Sequence, residues 1–98
     1  MSEGALQDRI RLALGRDPEL VVFRNNCGRA EIRGSWVVYG VGTPGGSDLI
    51  AIYRGRAFFL EIKTPTGKQS EEQATFQRLV EGKGAEYRIF RSVKDAEA

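Results

Sequence analysis

The sequence predicts one α/β domain: a mixed central β-sheet flanked by helices, with its elements in the order α-β-β-β-β-α-β. Three observations carry this reading. The chain opens on an amphipathic stretch in which Leu6, Ile10, Ala13 and Leu14 recur at helical spacing. Two nearly unbroken apolar runs, 48–53 and 57–63, are joined by Arg54-Gly55-Arg56, which has the chemistry of a hairpin turn. A second amphipathic stretch, 70–81, then leads into the alternating run 86–91. The chain has 98 residues, enough for one core and no second module, so residues 1–98 are expected to form a single domain.

The elements follow in order. Residues 3–14 read as the first helix, with Ser2 able to cap its start and Gly15 to end it. Leu20-Val21-Val22-Phe23 is a short strand, closed by the turn Asn25-Asn26-Cys27-Gly28. Ala30 to Arg33 and Trp36 to Tyr39 read either as a hairpin or as one strand with an irregular loop; the predicted order counts them as one. Gly40 to Gly46 holds four glycines and Pro44 and must be a loop. The runs 48–53 and 57–63 are apolar at almost every position, which predicts a sheet covered on both faces in its middle. Thr64 to Lys68 is a loop. The helix 70–81 should turn Phe76, Leu79 and Val80 inward, and Gly82 and Gly84 mark its end. Residues 92–98 read as a terminal helical turn.

Composition excludes several chemistries. The chain contains no histidine, so Ser-His-Asp and Cys-His catalysis, histidine-ligated zinc and histidine general bases are all absent. Cys27 is the single cysteine, which leaves no intrachain disulfide and no multi-cysteine zinc site. No apolar run is long enough to span a membrane and no secretory pattern opens the chain, so an intracellular, cytoplasmic protein is expected. The net charge is only +2, but eleven of the fifteen basic residues are arginine, the better fork for phosphate. If Glu3, Asp48 and Glu61 surround a cation, the rest of the surface is more basic than the formal sum, and affinity for nucleic acid becomes reasonable.

The most informative residues are Gly45-Gly46-Ser47-Asp48 and, after a gap of twelve residues, Glu61-Ile62-Lys63. Side chains alternate along a strand, so Glu61 and Lys63 share one face and Ile62 points away. Pairing of the two strands brings two carboxylates and one ammonium to one spot. Such a set suits a divalent metal held by oxygen ligands, with a lysine beside the water the metal activates. The structural alternatives are an acid that merely follows a glycine turn and an exposed Glu61–Lys63 ion pair. The apolar neighbours Phe58, Phe59, Leu60 and Ile62 weigh against the second, because an unpaired buried charge costs on the order of 3–5 kcal/mol.

In that order, Asp48, Glu61 and Lys63 on this scaffold resemble the PD-(D/E)xK nuclease superfamily, and within it the VRR-NUC family with its small stand-alone phage and bacterial members. The resemblance spans nearly the whole chain. It rests also on Glu3, on Pro44-Gly45-Gly46-Ser47-Asp48, on Gly55, on Thr64-Pro65-Thr66-Gly67 and on Ser70-Glu71-Glu72-Gln73. One departure is visible: Ser47, where the superfamily name implies proline, with Pro44 four residues ahead of Asp48.

The resemblance implies a restriction-endonuclease-like core and a metal-dependent DNA endonuclease, with Mg²⁺ as cofactor and Mn²⁺ able to substitute. Asp48 and Glu61 would bind metal, the Ile62 carbonyl would be a third ligand, and Glu3 would complete the shell through a water. Lys63 would orient or deprotonate the attacking water. Gln73 would act near the site, although Ser70 and Gln73 also form a capping box that needs no active site. Gly45, Gly46, Ser47 and Lys68 would contact nucleic acid. An acid at Glu3 is equally favoured by the helix dipole. A domain this small is expected to form a homodimer suited to branched DNA such as a four-way junction, with residues 30–40 at the interface, and to work with a helicase or another DNA-repair or replication partner. The alternative is a nucleic-acid-binding module of the same fold that has lost cleavage.

Overall fold

The first helix, α1 (Glu3–Leu14), begins where the Ser2 side chain accepts the Ala5 N–H at 3.1 Å and stops at Gly15. Its apolar stripe buries Leu6 and Ile10, with Leu14 half-buried beside them. The computed structural model describes residues 2–97, and from α1 the chain continues through β1 (Leu20–Arg24), β2 (Gly28–Ile32), β3 (Ser35–Tyr39), β4 (Leu49–Tyr53), β5 (Arg56–Ile62), α2 (Glu71–Gly82), β6 (Glu86–Phe90) and α3 (Val93–Glu97).

The central sheet has the strand order β1-β4-β5-β6. β1 and β4 are antiparallel, as are β4 and β5, whereas β5 and β6 run parallel, joined across α2. The sheet is therefore mixed and flanked by helices, as the sequence predicts. Its two faces bury separate clusters. On one, Leu6 and Ile10 of α1 meet Leu49, Ala51, Leu60 and Ile62, with Val93 and Ala96 of α3 alongside. On the other, Phe76 and Val80 of α2 meet Tyr87, Phe59 and Ile89. Strand alternation sends Leu60 and Ile62 to the first face and Phe59 and Glu61 to the second.

Three expectations are corrected. Residues 28–32 and 35–39 form the hairpin, one of the two expected alternatives, but as a separate two-stranded sheet, and the expected terminal turn is the helix α3, so the element order becomes α-β-β-β-β-β-α-β-α. Cover on the second face is incomplete. α2 packs over β6, and Val21, Phe23 and Ile52 of the β1–β4 half remain exposed. Leu79 is 59% exposed, because burial of Phe76 and Val80 turns it to the outer edge of α2.

The β2–β3 pair is an arm. Every residue of β3 is exposed, Trp36 by 63%. Its turn, Arg33-Gly34, has positive φ at both residues, as does Arg54-Gly55 between β4 and β5; that is the two-residue geometry whose twist matches its strands. Arg29 lies over the Trp36 ring, 5.2 Å from its centroid.

Candidate active site

Asp48 is the last residue before β4, and the β4–β5 register aligns Leu49 with Leu60. One step further, Asp48 stands opposite Glu61, both on the α2 side of the sheet. The Ile62 N–H donates to Asp48 Oδ2 at 2.8 Å, so the carboxylate reaches across and caps β5. Ile62 itself is fully buried in the opposite cluster. Its amide is thus engaged with Asp48, independently of the carbonyl expected to hold a metal.

Glu61 is the anomaly of the molecule. It is 2% exposed, and among the described residues its Oε2 has no hydrogen-bond partner. Burial pushes its carboxyl up to about 9; the hydrogen bond to Asp48 and the Asp48 charge add to this, Lys63 opposes it, and Glu3 adds a smaller repulsion. Two adjacent carboxylates that cannot both ionise form a site short of one positive charge. Lys63, half-buried, follows on the same face as Glu61.

The other sequence-predicted residues divide. Glu3 is exposed in the first turn of α1; its charge is felt at Glu61, yet among the described residues no group of three or more His, Cys, Asp or Glu side chains is gathered to hold a metal. Gln73 is occupied in the capping box: its Oε1 accepts the Ser70 N–H at 2.8 Å and its own N–H donates to Ser70 Oγ at 3.1 Å. Ser47 is fully buried and its hydroxyl donates to the Leu49 carbonyl at 2.9 Å, so it shapes the turn and offers nothing to a nucleic acid. Gly45 and Gly46 are half-buried: a Cβ at Gly45 would strike the Glu72 carbonyl, and one at Gly46 the Val41 carbonyl. Close packing against the start of α2 at Gly45, and against Val41 at Gly46, thus accounts for these glycines without a ligand. Lys68 is exposed in the loop after Lys63.

Three residues passed over in the sequence hold this region. Gln7, one turn beyond Glu3, donates from Nε2 to the Asp48 carbonyl at 3.4 Å. Arg91 donates from Nη1 to the Thr64 and Gly67 carbonyls, at 2.7 and 2.6 Å, and so pins the loop behind Lys63. Asn25 binds both ends of the loop ahead of Asp48. The only signal in the sequence was that asparagine and arginine side chains readily substitute for backbone partners in turns.

The donor set suits a divalent cation. A cation between Asp48 and Glu61 would satisfy the orphaned Oε2 and relieve the repulsion; with only two carboxylates, the remaining positions would fall to water or backbone oxygens, as Mg²⁺ accepts.

A solved structure described as a VRR_NUC domain superposes on this chain with a TM-score of 0.63 at 23% identity, covering 97% of this chain and 89% of its own. No protein-family model matches, and no curated protein matches. The chain has the fold of that domain.

Proposed function

We propose that this chain is a Mg²⁺-dependent nuclease that hydrolyses phosphodiester bonds in DNA, with branched DNA such as a four-way junction as its substrate. The observation that carries the reading is the buried Glu61 with its partnerless oxygen, paired with the half-buried Asp48. A carboxylate held at 2% exposure at a cost in stability is what a cation site requires and what a purely structural strand avoids.

Asp48 and Glu61 would hold the ion. When bound, the ion supplies a water of lowered pKa and a positive charge beside the phosphoryl oxygens. Lys63, on the Glu61 face, orients the attacking water and stabilises charge on the phosphorane. Buried Leu49, Leu60 and Ile62 keep the strands rigid behind the carboxylates. Lys68 offers a phosphate contact from its exposed loop. The uncovered arm, together with Val21, Phe23 and Ile52, supports a homodimer that sets two sites around one branched substrate.

The test is a panel of labelled duplex, flap, nicked and junction DNAs incubated with Mg²⁺, Mn²⁺ or excess chelator. Metal-dependent cleavage of the branched substrates is expected, and its loss in Asp48→Asn. Binding of DNA without cleavage under every metal condition would instead make the chain a binding module of the same fold.

A further inference from the structure

We propose that Asn25 is a positioning residue of this site, and that it sets the place of the Asp48 carboxylate through the backbone on either side of the glycine-rich loop. Four hydrogen bonds leave this one residue. Its Nδ2 donates to the Val41 and Ser47 carbonyls, each at 2.9 Å. Its Oδ1 accepts the Val41 N–H at 2.9 Å. Its backbone N–H donates to the Asp48 carbonyl at 2.8 Å. The first end of the loop, at Val41, and the last, at Ser47 and Asp48, are thereby tied to the end of β1.

The side chain fits this task uniquely among small residues. A planar amide offers two donors and an acceptor, and here both donors are used. Aspartate keeps the acceptor for the Val41 N–H and loses both donations; serine and alanine lose the span. The tie is needed because the enclosed segment carries Gly42, Gly45 and Gly46, and such a chain has much conformational freedom to lose. Once closed, it is pressed against Glu72 and Phe76 of α2 and delivers Ser47 into the core. The Asp48 carbonyl is then held by Asn25 and Gln7, and its carboxylate by the Ile62 N–H.

The catalytic consequence rests on the nuclease reading; the structural consequence does not. A displacement of about 1 Å in a reacting group costs on the order of 10²-fold in rate. Asn25→Ala is therefore expected to lower kcat by about that factor while the KM for DNA stays within about twofold, since no phosphate contact is removed. The independent readout is amide hydrogen exchange at Ile62, whose partner is the Asp48 carboxylate. The internal control is the neighbouring Lys63 N–H, which donates to the Phe90 carbonyl at 3.1 Å and has no link to the loop. In Asn25→Ala, protection at Ile62 should fall at least about tenfold while Lys63 keeps its own. If the alanine variant does not fold, Asn25→Asp, which retains the Val41 acceptor, carries the same comparison. Asn26→Ala, at the exposed neighbouring position, should change neither amide.

Equal loss of protection at Ile62 and Lys63, or no change at Ile62, overturns the proposal, as does a rise in KM with kcat intact. A wild-type chain that cleaves nothing would end the nuclease reading and leave the Ile62 measurement to decide the role of Asn25.

Discussion

β4–β5 and β2–β3 are the same device used in opposite ways. Each is an antiparallel pair of short strands rich in apolar residues, joined by an Arg-Gly turn with positive φ at both positions. In the first, Leu49, Ala51 and Leu60 disappear beneath α1 and even a glutamate is buried. In the second, Trp36, Val37, Val38 and Tyr39 all stand exposed. Local chemistry makes the hairpin in both cases. Cover by a third element decides whether its apolar residues become a core or a surface. A two-stranded hairpin alone is marginal in water, so the arm depends on its anchorage at Asn25, whereas β4–β5 is held between β1 and β6 and beneath α1.

The sharpest way to break the contrast is to alter the buried charge. Asp48→Asn and Glu61→Gln should each abolish cleavage, a loss of at least about 10³-fold, while DNA binding persists in both; it should tighten only in Asp48→Asn, because Glu61 already carries its proton in the metal-free chain. Gel-shift and cleavage assays on one labelled junction test both halves. A fully active Asp48→Asn protein contradicts the site.

Lys63→Ala comes next. It should lower turnover by about 10²-fold or more and leave Mn²⁺ affinity by calorimetry near that of the wild type, because in the proposed mechanism the lysine serves water and charge and is no ligand. A wild-type rate would make Lys63 purely structural.

A smaller effect is expected on stability. The folded chain holds the Glu61 proton to about 9, against an ordinary value of 4.5. A raised carboxyl favours the folded state fully at low pH; that advantage is lost as the unfolded chain ionises and the folded one does not. The metal-free protein should therefore lose thermal stability progressively as pH rises from about 4.5 towards about 9. Excess Mn²⁺ should reverse the trend, and Glu61→Gln should flatten it without loss of fold. A melting temperature that rises with pH over that range in the metal-free protein would count against the buried acid.

The mildest change in stability belongs to the arm. Val38→Glu alters a residue that is already exposed, so unfolding free energy should move by no more than about 0.5 kcal/mol. Its effect should appear in mass instead: a dimer by light scattering becomes a monomer, and paired incision of a junction is lost before Mn²⁺ binding. A wild-type chain that is monomeric at tens of micromolar and still cuts junctions symmetrically removes the arm from the interface.

Much of the fold lay open in the sequence. Helical periodicity with Ser2 and Ser70 as caps located α1 and α2, and the Arg54-Gly55 turn aligned β4 with β5 closely enough to bring Asp48 beside Glu61. What stayed hidden depended on distant parts of the chain. The residues of β3 are as apolar as those of β4, and nothing local tells that α1 covers one and not the other. Leu79 and Ile52 fit an inward pattern and lie just beyond the reach of their neighbours. Ser47 looked like a loop residue open to ligand, yet it is buried because the turn folds back on Leu49. Asn25 looked like turn punctuation; its partners are up to 23 positions away, since its amide meets the Asp48 carbonyl.

The arm also leaves and re-enters the sheet at neighbouring points: Arg24 pairs with Leu49 across β1 and β4, and Gly28 pairs with Tyr39 at its base. Residues can be added or removed two at a time, one from each strand, without shifting that junction or the register of β4 against β5. Val38 with Arg29, or Trp36 with Glu31, form such matched rungs. The reach of the arm can thus be lengthened or shortened, over generations or by design, while Asp48 and Glu61 stay in place, so what the arm grasps can change without disturbing the paired carboxylates.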